Sequence, residues 1–197
     1  MLNKFRINLK PLLEKIGLLF ASTGLSANFW TFFAFSLAII ASLFFTSNSY
    51  DIFSNAIMIG SILLLISGFF DIVDGSVAKV TKKSSKKGAF LDSTFDKISE
   101  IIIFMGLAVG NIVDPILCLL GISLSLMVSY TRSRAEAVGV NLSGVGFGER
   151  AERILILGVM GILPFENSLH YAVIIIIALS VITIIERIFK TIKEIKE

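Results

Sequence analysis

Six apolar stretches, each close to the length that crosses a bilayer, limit what this chain can fold into. A spanning helix needs about 20 mostly apolar residues. The stretches are Phe29 to Phe45, Ile52 to Phe70, Ala89 to Val109, Ile112 to Tyr130, Arg150 to Pro164 and Tyr171 to Ile185. With 55% hydrophobic residues and a mean hydropathy of +0.86, the composition is far from that of a soluble domain. The sequence therefore predicts an all-α integral membrane protein with six transmembrane helices.

The chain contains no long linker and no repeat of fixed period, so we predict a single domain over residues 1–197. Residues 1–27 form a predicted interfacial segment, 28–189 a six-span bundle and 190–197 a cytoplasmic tail. Apolar and basic residues alternate between Asn3 and Phe20, which suits an amphipathic helix lying in the membrane interface. A plain positively charged anchor explains the same residues. No cleavage-site pattern follows, and the single Cys118 excludes a disulfide framework and a thiolate metal site.

Two of the six stretches are too short without their charged ends. The uncharged part of the third begins only at Ile101, and that of the fifth only at Ile154. Each helix must therefore begin earlier, within charged sequence. The charged residues that this draws toward the membrane are Asp92, Asp96, Arg150 and Arg153.

The basic residues indicate how the chain is oriented. All 18 Lys and Arg residues fall in four segments that alternate with turns free of basic residues. By the positive-inside rule, both termini and the basic loops lie in the cytoplasm. We therefore predict a multi-pass protein of the cell membrane with a cytoplasmic active site and no nucleic-acid partner.

Four carboxylates at the junction of the second and third spans need an explanation. Asp71 and Asp74 are three residues apart and Asp92 and Asp96 four apart, so each pair lies on one helix face. The intervening turn brings the two faces together, and acids held this close require a cation. Mg²⁺ or Mn²⁺ prefers such oxygen ligands. The alternative is that the aspartates are interfacial residues paired with the neighbouring lysines, although acids inside a membrane are usually functional.

This pattern resembles the signature of the CDP-alcohol phosphotransferases. The matching positions are seven residues within a 26-residue segment: Asp71, Asp74, Gly75, Ala78, Gly88, Asp92 and Asp96. At one further position this chain has Lys79 where the family usually has arginine. Lysine keeps the charge and lacks the bidentate guanidinium. The six spans and the interfacial helix also resemble the fold of that family.

The resemblance implies roles for these residues. Asp71, Asp74, Asp92 and Asp96 would hold one or two divalent cations that bridge the diphosphate of a CDP-linked lipid, and Asp96 would be the general base. The residues implied for nucleotide binding are Asp71, Asp74, Gly75, Ala78, Lys79 and Gly88. CMP would be the leaving group, and a homodimer is expected. The chemistry is sound, because cations neutralise phosphoryl oxygens while a carboxylate accepts the proton of the attacking hydroxyl.

A second short motif lies at the start of the first span. The segment from Ser26 to Thr31 is similar to the entry motif of the same family, with Ala27 at a position where proline is usual. The resemblance implies that Asn28 and Thr31 contact the nucleotide. Helix capping by Ser26 or Asn28 is an equally good reading of this segment.

A second basic cluster bears on the acceptor. Arg132 and Arg134 end the fourth span, and Arg150 and Arg153 share a helix face three residues apart, so the set can bind an anionic group. Snorkelling at the cytoplasmic boundary is the alternative. The two segments, Tyr130 to Ala137 and Glu149 to Arg153, resemble those of the inositol-phosphate branch of the family. That likeness implies that Arg132, Arg150 and Arg153 bind the phosphate of an inositol phosphate.

Several alternatives remain open at this stage. Glycerol phosphate is the main competing acceptor, and the lipid is either CDP-diacylglycerol or CDP-archaeol. A divalent-cation transporter would also gather aspartates, although it usually carries broken helices or acids deeper in several spans. A non-catalytic lipid-binding protein would explain the basic loops by attraction to anionic headgroups, but not the four spaced aspartates.

Overall fold

The protein is a bundle of helices. The structure, a computed structural model, describes residues 2–50, 52 and 55–195, and the side chains from residue 11 onward. The described part contains no strand and has seven α-helices: α1 Leu2–Ala21, α2 Ala27–Ser47, α3 Ala56–Val80, α4 Lys86–Val109, α5 Pro115–Ala137, α6 Arg150–Ile162 and α7 Ser168–Glu194. A short 3₁₀ helix, Asn48–Tyr50, follows α2. The predicted all-α class is confirmed. Asp51 of the first turn, the basic side chains before residue 11 and residues 196–197 of the predicted tail lie outside the described residues.

Within the residues that the structure describes, four segments are long and apolar enough to cross a membrane: Ala27–Tyr50, Ala56–Val80, Pro115–Ala137 and Ser168–Glu194. The other two predicted spans correspond to α4 and α6. As predicted, both helices begin within charged sequence, at Lys86 and Arg150. With 13 residues, α6 is about 20 Å long, shorter than the hydrocarbon core of about 30 Å.

Side-chain caps determine where three of the site's helices begin. Ser26 caps α2 by accepting the N–H of Phe29, and Ser85 caps α4 by accepting the N–H of Gly88 at 3.0 Å. Ser26 is thus the cap that the capping interpretation predicted. Glu149 and Glu152 form a reciprocal capping box at the start of α6. The functional segments therefore start at defined residues.

Small residues let the helices approach closely. A methyl group at Gly106 of α4 would lie 2.8 Å from the carbonyl oxygen of Ser42 on α2, and one at Gly161 of α6 would lie 2.9 Å from Ser61 Cβ on α3. Helix contacts of this kind are favoured in membranes because packing replaces the missing hydrophobic driving force. In the bundle, α3 packs against α1, α2 and α6, and α7 packs against α5 and α6. Contacts of Arg150 with Asp71 and Asp96 show that the start of α6 lies beside the end of α3 and the first half of α4.

Helix α1 is fixed to the bundle through aromatic residues. The ring centroid of Phe20 lies 5.0 Å from that of Trp30 on α2 and 5.8 Å from that of Phe70 on α3. The outward side of α1 exposes Leu18 and Leu19. The helix therefore lies beside the part of α3 that carries the aspartates.

Candidate active site

Three aspartates from two helices form a compact acidic cluster. Oxygens of Asp71, Asp74 and Asp92 all lie within 4.8 Å of one another. Residues 81–85 join the two helices, which both pack against α2, so the end of α3 and the first half of α4 bring their aspartates together. Asp74 is only 4% exposed, and its Oδ2 has no hydrogen-bond partner among the described residues. The juxtaposition of Asp71, Asp74 and Asp92 was predicted from their spacing.

The donor atoms of this cluster fit a hard divalent cation. All of them are carboxylate oxygens, the ligand type that Mg²⁺ and Mn²⁺ prefer. A buried carboxylate oxygen without a partner is costly, and a cation would compensate it. Asp71, Asp74 and Asp92 are therefore the residues that would hold a metal ion.

Asp96, the fourth predicted ligand, has a different partner. Its Oδ1 lies 2.9 Å from Arg150 Nη1, and the same nitrogen lies 2.6 Å from Asp71 Oδ2. Asp96 is not one of the three clustered residues. One guanidinium thus joins α3 and α4 from the beginning of α6, beside the acidic cluster.

The sequence did not indicate where Arg150 would lie. Because it is far from the aspartates in sequence and enters on another helix, we expect it to bind the acceptor phosphate without touching a metal-bound diphosphate. The packing of α6 on α3 instead puts its guanidinium between two of the carboxylates. Arg150 therefore contacts the acidic residues as well as being one of the predicted acceptor-binding arginines.

The residues predicted to bind the nucleotide surround the acidic cluster. Thr31 adjoins the Asp74 carboxyl group, and its hydroxyl donates to the carbonyl of Ala27. Gly88 lies next to exposed Asn28, since a methyl group at residue 88 would be 3.2 Å from Asn28 Oδ1. A methyl group at Gly75 would meet no atom within 4 Å. Open space therefore exists at Gly75.

Two further predicted nucleotide residues, Ala78 and Lys79, lie in the last turns of α3. Ala78 is partly buried and Lys79 is exposed. Both follow Gly75 by one turn, so they lie near it on the helix.

The other two predicted acceptor arginines differ in exposure. The side chain of Arg132 is 42% exposed and pairs with Glu136 at 2.9 Å and Glu149 at 3.8 Å. That of Arg153 is 2% exposed; its Nε lies 2.5 Å from Glu100 Oε1 and its Nη1 donates to the carbonyl of Gly148. Arg153 Nη2 is buried with no hydrogen-bond partner in the described part of the chain. Arg132 is open to a ligand, whereas Arg153 is largely engaged by the protein.

Helix α7 fixes the loop that precedes α6, and the sequence did not indicate this. Thr183 Oγ1 accepts the N–H groups of Phe147 and Gly148, at 3.2 and 3.0 Å. Arg187 Nε donates to the carbonyl of Val145 at 3.0 Å. Its side chain is 2% exposed. A buried arginine cannot be distinguished from a boundary arginine by its position in the sequence alone.

Gly146 allows this loop to lie against α7. Its φ is +97°, which residues with a side chain rarely adopt, and a methyl group there would lie 2.2 Å from Thr183 Cγ2. Glu100 is the other residue that the sequence did not single out. The available signal was its position four residues after Asp96, on the same face of α4.

A bundle with four helices long and apolar enough to cross a membrane, an acidic cluster that could hold a divalent cation and an arginine beside it is the arrangement expected of a membrane-bound transferase for phosphorylated substrates. Residues 25–185 match the model of the CDP-alcohol phosphatidyltransferase family. The chain belongs to that family, which favours the enzyme over the transporter and the lipid-binding alternatives.

Two relatives match nearly the whole chain. The archaetidylinositol phosphate synthase of Pyrococcus horikoshii is 35% identical over 196 residues, which cover 100% of this chain and 99% of the relative. The archaetidylinositol phosphate synthase of Methanothermobacter thermautotrophicus is 36% identical over 190 residues, covering 95% and 92% of the two chains. The resemblance therefore extends well beyond the signature.

Solved structures of the phosphatidylinositol phosphate synthase of Mycobacterium tuberculosis share this fold. The structure with CDP-DAG bound has a TM-score of 0.74 and 25% identity, covering 92% of this chain and 94% of the other. The structure in complex with manganese and citrate has a TM-score of 0.74 and 26% identity, covering 91% and 88%. Together with the acidic cluster, the manganese complex indicates a divalent metal in this family's site.

Proposed function

We propose that this enzyme transfers the lipid-phosphoryl group of a CDP-lipid to inositol phosphate, releasing CMP and forming a phosphoinositol-phosphate lipid. The observation that carries the proposal is the position of Arg150, 2.6 Å from Asp71 at the edge of the acidic cluster. A guanidinium there can bind an acceptor phosphate beside the diphosphate of the CDP-lipid. The names of the two full-length relatives support inositol phosphate as the acceptor.

The aspartates have two different roles in the proposed reaction, metal binding and proton acceptance. We infer that Asp71, Asp74 and Asp92 hold Mg²⁺ or Mn²⁺, which would neutralise the diphosphate oxygens when bound. Asp96, also predicted to be a ligand, accepts the proton of the attacking acceptor hydroxyl. The oxygen of that hydroxyl bonds to the lipid-linked phosphorus as the bond from phosphorus to CMP breaks. Arg150 orients the Asp96 carboxylate through its contact at 2.9 Å.

The CDP moiety binds where α2, α3 and α4 meet. The open space at Gly75 supports a nucleotide position against the backbone of α3, with Ala78 beside it. Lys79 provides a positive charge to the diphosphate. Asn28 and Thr31 of α2, together with Gly88 of α4, complete the nucleotide side of the site.

The acceptor side is formed by arginines. Arg150, beside the acidic cluster, and half-exposed Arg132 bind the acceptor phosphate directly, and Glu149, which pairs with Arg132 at 3.8 Å, precedes Arg150 in the chain. Arg153, predicted with them, supports this position from its buried pair with Glu100.

The membrane arrangement is also part of the proposal. We infer that α2 to α7 form six spans within one domain, with the 13-residue α6 reaching the interface through the loop that precedes it, and that α1 is an interfacial helix. Exposed Leu18 and Leu19 suit contact with lipid. The basic segments support cytoplasmic termini and a cytoplasmic active site. A homodimer is proposed from the family resemblance alone.

The experiment that tests the function is a transfer assay with purified protein in lipid nanodiscs. CDP-archaeol or CDP-diacylglycerol is supplied with Mg²⁺ and, separately, inositol phosphate, glycerol phosphate, free inositol or serine. We expect CMP release and a phosphoinositol-phosphate lipid, identified by mass, only with inositol phosphate. Excess chelator should stop the reaction, and Mg²⁺ or Mn²⁺ should restore it.

Each result bears on a different part of the proposal. A glycerophosphate lipid as the main product would replace the acceptor and keep the reaction class. Full turnover in excess chelator would reject the metal-dependent mechanism. The preferred CDP-lipid identifies the lipid chain type.

A further inference from the structure

Glu100 forms a buried charged network with α6. Its side chain is 8% exposed and lies on α4, one turn beyond Asp96. Its Oε1 accepts from Arg153 Nε at 2.5 Å, and its Oε2 lies 3.4 Å from Lys97 Nζ. Charges buried to this degree require close partners, so Glu100 and Arg153 are held as a pair.

This pair is the second of two parallel bridges between α4 and α6. Helix α6 packs mainly against α3 and α7, and two arginine side chains extend from it to α4. Arg150 reaches Asp96 and Arg153 reaches Glu100. Residues three or four apart share a helix face, so both bridges lie on the same faces of α4 and α6. The position of one bridge therefore constrains the other.

Arg153 also fixes the start of α6. Its Nη1 donates to the carbonyl of Gly148, in the loop held by Thr183. Arg150 is the first residue of α6 and lies between this loop and Arg153. The pair of Arg153 with Glu100 thus contributes, with the capping box and Thr183, to fixing where the backbone of Arg150 lies.

We propose that Glu100 is a positioning residue for the transfer reaction: through Arg153 it holds Arg150 at Asp71 and Asp96, where Arg150 binds the acceptor phosphate. Glu100 is not one of the three clustered aspartates, and its carboxylate is occupied by Arg153 and Lys97. This inference rests on the proposed function in one respect: it takes the acceptor phosphate as the ligand of Arg150.

The first test is Glu100→Gln, which keeps the shape and removes the charge. We expect the KM for inositol phosphate to rise about tenfold, the size of a lost charged contact of roughly 1.4 kcal/mol. The affinity for Mn²⁺, followed by paramagnetic resonance, should rise, because Arg150 is no longer held against Asp71 and Asp96, while the KM for the CDP-lipid should stay near the wild-type value. Glu194→Gln is the matched control. Glu194 is the last residue of α7, its side chain is 47% exposed, and it pairs with Lys190 at 3.6 Å. It should leave all three quantities unchanged.

A second variant separates positioning from stability. Replacing a buried ion pair by apolar residues often keeps the fold stable. Glu100→Leu combined with Arg153→Met should therefore retain a wild-type-like Tm while the KM for the acceptor stays raised. A wild-type acceptor KM in this folded double variant would overturn the proposal and leave the pair a structural role.

A double-mutant cycle then tests the route through Arg150. If Glu100 acts by placing Arg150, Glu100→Gln should not raise the acceptor KM further in an Arg150→Ala background. Additive losses would instead mean that Arg153 contacts the acceptor on its own, and would reject the positioning role.

The proposed function and this inference fail in different ways. If the wild type uses another acceptor, the inositol-phosphate assignment fails and the cycle is measured with that acceptor. The same cycle can be measured without turnover, by calorimetry with inorganic phosphate. Non-additive weakening of phosphate binding would support the inference, and additive weakening would overturn it.

Discussion

Asn28 and Gly88 meet where α2 and α4 begin: a methyl group at residue 88 would lie 3.2 Å from Asn28 Oδ1. The N–H of Gly88 is held by the Ser85 cap at 3.0 Å, so the helix start cannot easily shift away. This contact connects the four-aspartate signature to the entry motif of the first span. It gives Gly88 a structural reason to lack a side chain.

Gly88→Ala should therefore disturb the nucleotide side of the site. The added methyl group would lie 3.2 Å from Asn28 Oδ1 and 3.2 Å from the Ser85 cap oxygen, so the exposed Asn28 side chain must shift, while alanine is a better helix former than glycine. We expect the KM for the CDP-lipid to rise, by less than about tenfold, because Asn28 is displaced and not removed. The KM for the CDP-lipid is measured by steady-state kinetics at a saturating concentration of acceptor. An unchanged KM would separate Asn28 from nucleotide binding.

Gly75→Ala and Gly68→Ala form a matched pair on α3. A methyl group at Gly75 meets nothing within 4 Å, so the variant should keep its Tm and lose CDP-lipid affinity if the nucleotide occupies that space. A methyl group at Gly68 would lie 2.8 Å from Ile154 Cγ2, so that variant should lose stability and keep its CDP-lipid KM. Thermal unfolding and kinetics are measured for both. Equal CDP-lipid affinity in Gly75→Ala and wild type would contradict the proposed nucleotide position.

Asp92→Asn should weaken metal binding with almost no change in side-chain volume. One charged oxygen ligand of the cluster is lost, so Mn²⁺ affinity and turnover should both fall by more than about tenfold. Asp114→Asn is the control, because asparagine also caps a helix and Asp114 only caps α5. Mn²⁺ titration with wild-type affinity in Asp92→Asn would remove Asp92 from the metal site.

Lys79 is tested in both directions. Lys79→Arg introduces the residue usual in the family and a bidentate donor, so the KM for the CDP-lipid should be equal or lower. Lys79→Ala should raise it, whereas Lys83→Ala, in the turn after α3, should not. If the two alanine variants behave alike, Lys79 acts only as a solvated surface charge.

Arg150→Ala should change the affinity for the acceptor and also the affinity for the metal ion, whereas the sequence indicated an effect mainly on the acceptor. Loss of the guanidinium should raise the acceptor KM about tenfold to a hundredfold, since a charge-assisted contact contributes about 1.5 to 3 kcal/mol. Removal of a positive charge at 2.6 Å from Asp71 should also tighten Mn²⁺ binding. Exposed Arg134 supplies the control variant, Arg134→Ala. Unchanged acceptor and Mn²⁺ affinities in Arg150→Ala would show that its contacts have no functional part.

The local part of this site could be read from the sequence, and the part made by helix packing could not. Spacings of three and four residues indicated correctly that Asp71, Asp74 and Asp92 face one another across a turn. Nothing in the spacing shows which helix packs on α3, so the arrival of Arg150 between two aspartates was missed. The helices begin at their capping residues and not where the apolar stretch begins. The apolar stretch starts at Ile112, whereas α5 begins at Pro115, directly after its cap Asp114.

The same limit applies to the buried charges. Glu100 and Arg187 look like ordinary boundary residues in the chain, because burial depends on which neighbours cover them. In the bundle, Arg187 is fully covered and holds the loop before α6.

Membrane proteins are inserted in the order in which they are synthesised, and α3 and α4 precede α6. The four aspartates therefore enter the membrane region before Arg150 exists to lie between Asp71 and Asp96. During that interval their mutual repulsion must be relieved by protons or by ions from the surroundings. Before α6 is made, the stability of the α3–α4 segment should therefore depend on pH and on dissolved cations, whereas in the complete chain Arg150 neutralises the charges of Asp71 and Asp96.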